Sequence, residues 1–75
     1  MLIYFTENGW LDYESWQRED RETIQKINAL LKDISRNRNS GLGKPEPLVG
    51  DLAGFWSKRI NDKDRLVYRL VDEEI

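Results

Sequence analysis

Ile24, Ile27, Leu30 or Leu31, and Ile34 return every three to four residues, which places them on one stripe of a helix. Gln25, Lys26, Lys32 and Asp33 fall between them and predict a solvated outer face. A helix with one apolar stripe must lay it against another layer, so this segment constrains everything around it. Asp20, just before Arg21 and Glu22, supplies an N-cap and fixes where the helix begins. Upstream, Trp10, Tyr13 and Trp16 recur at intervals of three with Leu11 beside them, and Thr6 caps a first helix that starts at Glu7 and is weakened by Gly9. In so short a chain, aromatics at that spacing predict core more than a surface for stacking bases. Two helices joined this tightly predict an antiparallel hairpin. Ahead of them, Leu2-Ile3-Tyr4-Phe5 is β-branched and aromatic and reads as a short strand.

The second half changes character. Arg36 to Gly41 is polar and aperiodic, a loop whose cations suit a helix C-terminus. Pro45 and Pro47 then enclose Glu46 and restrict its backbone to extended conformations. After Leu52-Ala53-Gly54, the residues from Phe55 to Ile60 and from Arg65 to Val71 read as strands, joined by the turn-forming Asn61-Asp62-Lys63-Asp64. If Ile60 pairs with Leu66, one face of this hairpin collects Trp56, Ile60, Leu66, Tyr68 and Leu70, interrupted only by Lys58. The other carries Ser57, Arg59, Arg65, Val67 and Arg69. A one-residue slip would bring arginines onto the apolar face, which burial forbids. The expectation is a single α+β domain over residues 1–75: a short strand, a two-helix hairpin, then an antiparallel hairpin or sheet.

A chain of 75 residues buries only about 60% of the surface its unfolded form exposes, so a partner covering apolar surface would help it. It has no cysteine, which excludes disulfides, thiolate nucleophiles and cysteine-based zinc sites. The apolar opening from Met1 to Phe5 is too short for a spanning helix or a signal-peptide core, and a cytoplasmic location with no membrane partner is the expectation. The net charge of −2 argues against nucleic acid, but its distribution does not. Residues 1–35 carry four basic and seven acidic side chains, whereas residues 36–71 carry eight basic and four acidic ones. A local anion site on an otherwise acidic protein has that pattern.

Cleaving RNA through its 2′-hydroxyl requires a base for that proton, cations for the phosphorane, and an acid for the leaving 5′-oxygen. No metal or other cofactor is required where arginines supply the charge. Glu46 is the candidate base, because its flanking prolines aim the carboxylate. Arg59 and Arg65 suit a dianionic phosphorane, since guanidinium is always charged and grips phosphate in a fork. Lys44 could hold the RNA backbone nearby, and Arg69 could extend the cationic track.

The segments GLGKPEPL, GFWSKRI and DRLVY resemble the motifs of YoeB-type toxins of bacterial toxin–antitoxin pairs, within the wider RelE/ParE superfamily, and the likeness runs through essentially the whole chain. It implies a RelE-like fold and a ribosome-dependent endoribonuclease that cuts mRNA in the A site. It further implies Glu46 as general base, Arg65 as transition-state stabiliser and Arg59 as a phosphate contact. The partners implied are the ribosome with its A-site mRNA and a YefM-like antitoxin, with a homodimer also compatible. The sequence departs from the family pattern at Val49, where a lysine is usual, and at Asp64, where a histidine is usual. The family's final strand, with its near-terminal His and Tyr, has no counterpart after the acidic turn at Asp72-Glu73-Glu74, so weak or absent activity is expected. Two alternatives are a non-catalytic module that only engages the antitoxin or ribosome, and a ParE-like gyrase poison, against which Glu46 with its arginines argues.

Overall fold

The computed structural model describes residues 3–71, which form two helices followed by a three-stranded antiparallel sheet. Helix α1 (Glu7–Glu19) starts at Thr6, whose hydroxyl accepts the Gly9 amide at 3.0 Å. A Cβ on Gly9 would crowd that hydroxyl at 3.0 Å, so the residue that weakens the helix also leaves room for its cap. Asp20 ends α1 and caps α2 (Arg21–Asn37), accepting the Glu22 and Thr23 amides and, at 2.7 Å, the Thr23 hydroxyl. These bonds, the Thr23 hydroxyl foremost, hold its carboxyl below the ordinary value of 3.8. The chain therefore reverses direction over a single residue.

Ile27, Leu30 and Ile34 of α2 form the apolar core, and Ile24 and Leu31 are half-buried beside them. Burying each core side chain contributes about 1.5–3 kcal/mol. Helix α1 buries no side chain fully. Trp10 is 46% exposed and Leu11 55%, while Tyr13 and Trp16 are half-buried, so the aromatics expected in the core form a rim instead. Phe5, Trp10 and Tyr13 cluster there with ring centroids 5.3 to 5.9 Å apart. Helix α1 packs on α2, Tyr13 and Trp16 border an open groove, and Trp10 and Leu11 lie outside it.

Ile3, Tyr4 and Phe5 join no strand among the described residues, contrary to the expected opening strand, whose Leu2 lies outside them. They border a groove of about 1170 Å³ that Tyr13, Trp16, Leu66 and Leu70 also line. The acidic turn at Asp72–Glu74 likewise lies outside the described residues.

The sheet runs β1 (Glu46–Pro47), β2 (Trp56–Arg59) and β3 (Arg65–Tyr68), in that order. Strand β1 was not expected from a segment with two prolines; it is tolerated because β1 is an edge strand and Glu46 keeps its amide. Between β1 and β2 a short 3₁₀ turn (Gly50–Leu52) and Gly54 at φ 97° redirect the chain where a strand entry was expected. Strands β2 and β3 are also shorter than expected. Lys58, not Ile60, pairs with Leu66. The Ile60 amide donates to the Asp64 carbonyl at 2.9 Å, and Asn61 Oδ1 accepts the Lys63 and Asp64 amides, which closes the turn and moves the register by two. A shift of two preserves both faces, so the predicted division of side chains stands.

One face packs on α2, and its most buried side chain is Lys58, at 0% exposure. Its partner is Asp33, 8% exposed, which corrects the outer-face position expected for that residue. Helix α2 also runs two residues into the segment expected to be loop, through Asn37. Among the described residues no helix is long and apolar enough to cross a membrane.

Candidate active site

Glu46 lies opposite Ser57 on β2, Ser57 opposite Val67 on β3, and Arg59 opposite Arg65. Directly paired residues point to the same side of a sheet, and alternate residues along a strand do too. Glu46, Ser57, Arg59, Arg65 and Val67 therefore share the face turned away from α2. Glu46 Oε2 stands 3.7 Å from Arg65 Nη1, with the Arg65 side chain 41% exposed and that of Glu46 64%. Arg65 Nη1 also donates to Ser57 Oγ at 3.4 Å, so the buried serine underlies the pair. An exposed pair at that distance is worth about 0–1 kcal/mol, little enough for an incoming phosphate to replace it.

Arg59 projects from the same face and is exposed, while its amide donates to the Gly43 carbonyl at 2.7 Å. Lys44 is exposed at the end of the loop leading into β1 and holds φ 48°. The left-handed conformation costs a non-glycine residue about 1–2 kcal/mol, which the rest of the fold must offset. Neither Lys44 nor Arg59 forms an ion pair among the described residues. Arg69 lies further along the chain from β3, its guanidinium 5.2 Å from the centroid of the Phe55 ring. Of the five expected residues, the fold brings Glu46, Arg59 and Arg65 onto one face, sets Lys44 at its entrance, and packs Arg69 on an aromatic ring at its margin.

A carboxylate 3.7 Å from one guanidinium on an open surface, with a second arginine on the same face, can take a proton from a hydroxyl while the cations receive a phosphate. Tyr68 stands on the opposite face, where its hydroxyl donates to the Arg38 carbonyl at 3.3 Å. Burial, followed by the Asp33 charge, raises its phenol above 10.0, and its place on the face turned to α2 keeps it away from Glu46 and Arg65. Sequence reasoning missed three residues behind the site: Ser57, Asp33 and Lys58. The signal for the last two was a matched irregularity, a lone lysine interrupting the apolar face of β2 and an acid beside Ile34 at the spacing of the α2 stripe.

A family model described as the YoeB-like toxin of bacterial type II toxin–antitoxin systems matches residues 5–75. Toxin YoeB of Streptomyces coelicolor is 51% identical over 75 residues, all of this chain and 89% of that protein. A solved YoeB/ParE toxin from Agrobacterium tumefaciens superposes with a TM-score of 0.94 at 48% identity, covering 97% of this chain and 85% of that one. A chain of the heterotetrameric YoeB–YefM toxin–antitoxin complex from Staphylococcus aureus gives 0.91 at 44% identity, covering 96% and 84%.

Proposed function

Because the chain belongs to the YoeB-like toxins of bacterial type II toxin–antitoxin systems, we propose that it is a ribosome-dependent endoribonuclease that cuts mRNA in the A site. The observation that carries this reading is the Glu46–Arg65 pair, 3.7 Å apart on an exposed sheet face with Arg59 across from Arg65. Glu46 takes the proton of the 2′-hydroxyl as that oxygen attacks the adjacent phosphorus. Arg65 stabilises the phosphorane and Arg59 holds its non-bridging oxygens, supplying the positive charge that the reaction needs. The bond to the 5′-oxygen breaks, leaving a 2′,3′-cyclic phosphate and a 5′-oxygen that takes a proton from water to become a 5′-hydroxyl. Lys44 and Arg69 hold the flanking backbone. The ribosome presents the message in the required geometry, so a small and only locally basic protein need not bind RNA tightly by itself.

On the side turned to α2, Tyr68 is out of reach of the leaving oxygen, and we expect slow turnover. The same observation favours a second reading, in which the face binds ribosome or antitoxin without cutting. In either case the partner that neutralises it is a YefM-like antitoxin, whose acidic segment folds onto the arginine face in the cytoplasm.

Primer extension on messages in translating ribosomes tests the reading. The chain should produce stops at the A-site codon that disappear with Glu46→Gln and with Arg65→Ala, both variants retaining the parent's circular dichroism. Stops unchanged by Glu46→Gln would remove that residue from the chemistry. Ribosome binding with no stops would put the binding reading first.

A further inference from the structure

Lys58 is fully buried although it carries a charge, and it does so one residue before Arg59. Successive residues on a strand point to opposite faces, so whatever fixes Lys58 under the sheet fixes Arg59 above it. Lys58 Nζ donates to Asp33 Oδ2 at 2.5 Å and to the Ser40 carbonyl at 2.6 Å. Asp33 in turn accepts the Leu42 amide on Oδ2 at 3.0 Å and the Asn37 side chain on Oδ1 at 2.6 Å. One ion pair therefore binds the end of α2, both sides of the loop after it, and β2.

The loop shows how closely it is drawn in. A Cβ on Gly41 would stand 2.7 and 2.8 Å from the Asp33 carboxylate oxygens, and one on Gly43 would stand 2.9 Å from both Leu30 Cδ2 and Lys58 Cβ. Both glycines hold φ 84°. Next come the Gly43 carbonyl bonded to the Arg59 amide, then Lys44 in its left-handed conformation, then Glu46. A buried ion pair is weak evidence for stability, because desolvation offsets much of its attraction, so its value here must be sought in what it orders.

We infer that Asp33 and Lys58 are positioning residues: by clamping the Gly41–Lys44 loop to β2 from beneath, they set Glu46 and Arg59 at their places on the exposed face. The catalytic part of this assignment rests on the endoribonuclease reading, whereas the structural part does not.

The test is the double variant Asp33→Leu/Lys58→Met, which replaces the pair with apolar groups and leaves neither charge stranded. Amide hydrogen exchange of the full chain reads the clamp without any appeal to cleavage. The Arg59 amide, bonded to Gly43, should exchange at least about tenfold faster than in the parent, while amides in the α2 core keep their protection. On ribosomes, kcat for A-site cleavage should fall about tenfold to a hundredfold with KM little changed, since misplacement rather than lost binding is the defect. Unchanged Arg59 exchange in a folded double variant would overturn the clamp, and displaced exchange with unchanged kcat would overturn its link to the site. Failure of the parent itself to cut would instead count against the endoribonuclease reading, leaving the exchange result to decide the clamp. Should the double variant not fold, Asp33→Asn, which is isosteric and still accepts hydrogen bonds, should give an intermediate rise in Arg59 exchange; no rise would again overturn the clamp.

Discussion

Among the described residues, the two faces of the sheet each carry one carboxylate–cation pair, and the pairs differ in nearly every respect. Beneath the sheet, Asp33 and Lys58 meet at 2.5 Å with side chains 8% and 0% exposed. Above it, Glu46 and Arg65 stand at 3.7 Å, 64% and 41% exposed. The lower pair has further hydrogen bonds to Leu42, Asn37 and Ser40, and each of those ties down backbone or a helix end. Among the described residues the upper pair has only Ser57 behind it. In a medium of low dielectric an ion pair is strong and costly to break, whereas near water it is weak and easily exchanged. The lower pair thus suits a fixed clamp, and the upper one suits charges that must part when a phosphate arrives between them.

The contrast is broken most directly by removing one cation from each pair. Lys58→Met strands a buried carboxylate and should lower the melting temperature by more than about 10 °C, or prevent folding altogether. Arg65→Met removes an exposed partner and should change stability by no more than about 1 kcal/mol. Thermal melts of the two variants side by side decide it. Equal losses would mean that the upper pair is as structural as the lower one.

The same contrast explains what the sequence made legible. Apolar spacing in α2, the caps at Thr6 and Asp20, and the division of the hairpin into an apolar and an arginine-bearing face are local or periodic properties, and they can be read directly. The register was displaced by two, because Asn61 bonding across the turn fixes where the hairpin closes and alternation of side chains cannot distinguish shifts of two. The arginine face was legible without its support. Asp33 and Lys58 are 25 residues apart: Lys58 shows only as a break in the apolar face, and Asp33 looks like an ordinary surface charge until the fold brings both under the sheet. The α1 aromatics show the converse limit: helical spacing places them on one side, but it cannot say whether a neighbouring element covers that side.

Acid should sharpen the comparison next. The Lys58 ammonium, followed by the Asn37 side chain, holds the Asp33 carboxyl below its ordinary value of 3.8, and the Thr23 hydroxyl does the same for Asp20. A carboxyl whose folded pKa is depressed adds stability that is fully present above the unfolded value and is lost as pH falls through the folded one. Denaturant midpoints should therefore hold steady near neutrality and decline as pH drops below that ordinary value. Asp33→Asn should lower stability at neutral pH and flatten the acid limb, because a group that no longer titrates cannot contribute to the slope. A variant with the parent's slope would show that Asp33 is not a source of it.

The smallest effect belongs to the upper pair, and it is the one that bears most on catalysis. A double-mutant cycle of Glu46→Gln and Arg65→Met on folding stability should give a coupling of about 0.2–1 kcal/mol at low ionic strength. Because both side chains reach water, that coupling should shrink towards zero as salt rises, where the Debye length contracts to about 3 Å at 1 M. The Asp33–Lys58 pair, shielded from ions, should keep its coupling over the same range. A salt-resistant coupling between Glu46 and Arg65 would describe a closed ion pair, and a phosphate could then reach Arg65 only after an additional opening step. A weak and screened coupling leaves the carboxylate and the guanidinium as two separately available groups, the condition under which Glu46 can accept a proton while Arg65 turns to the phosphorane.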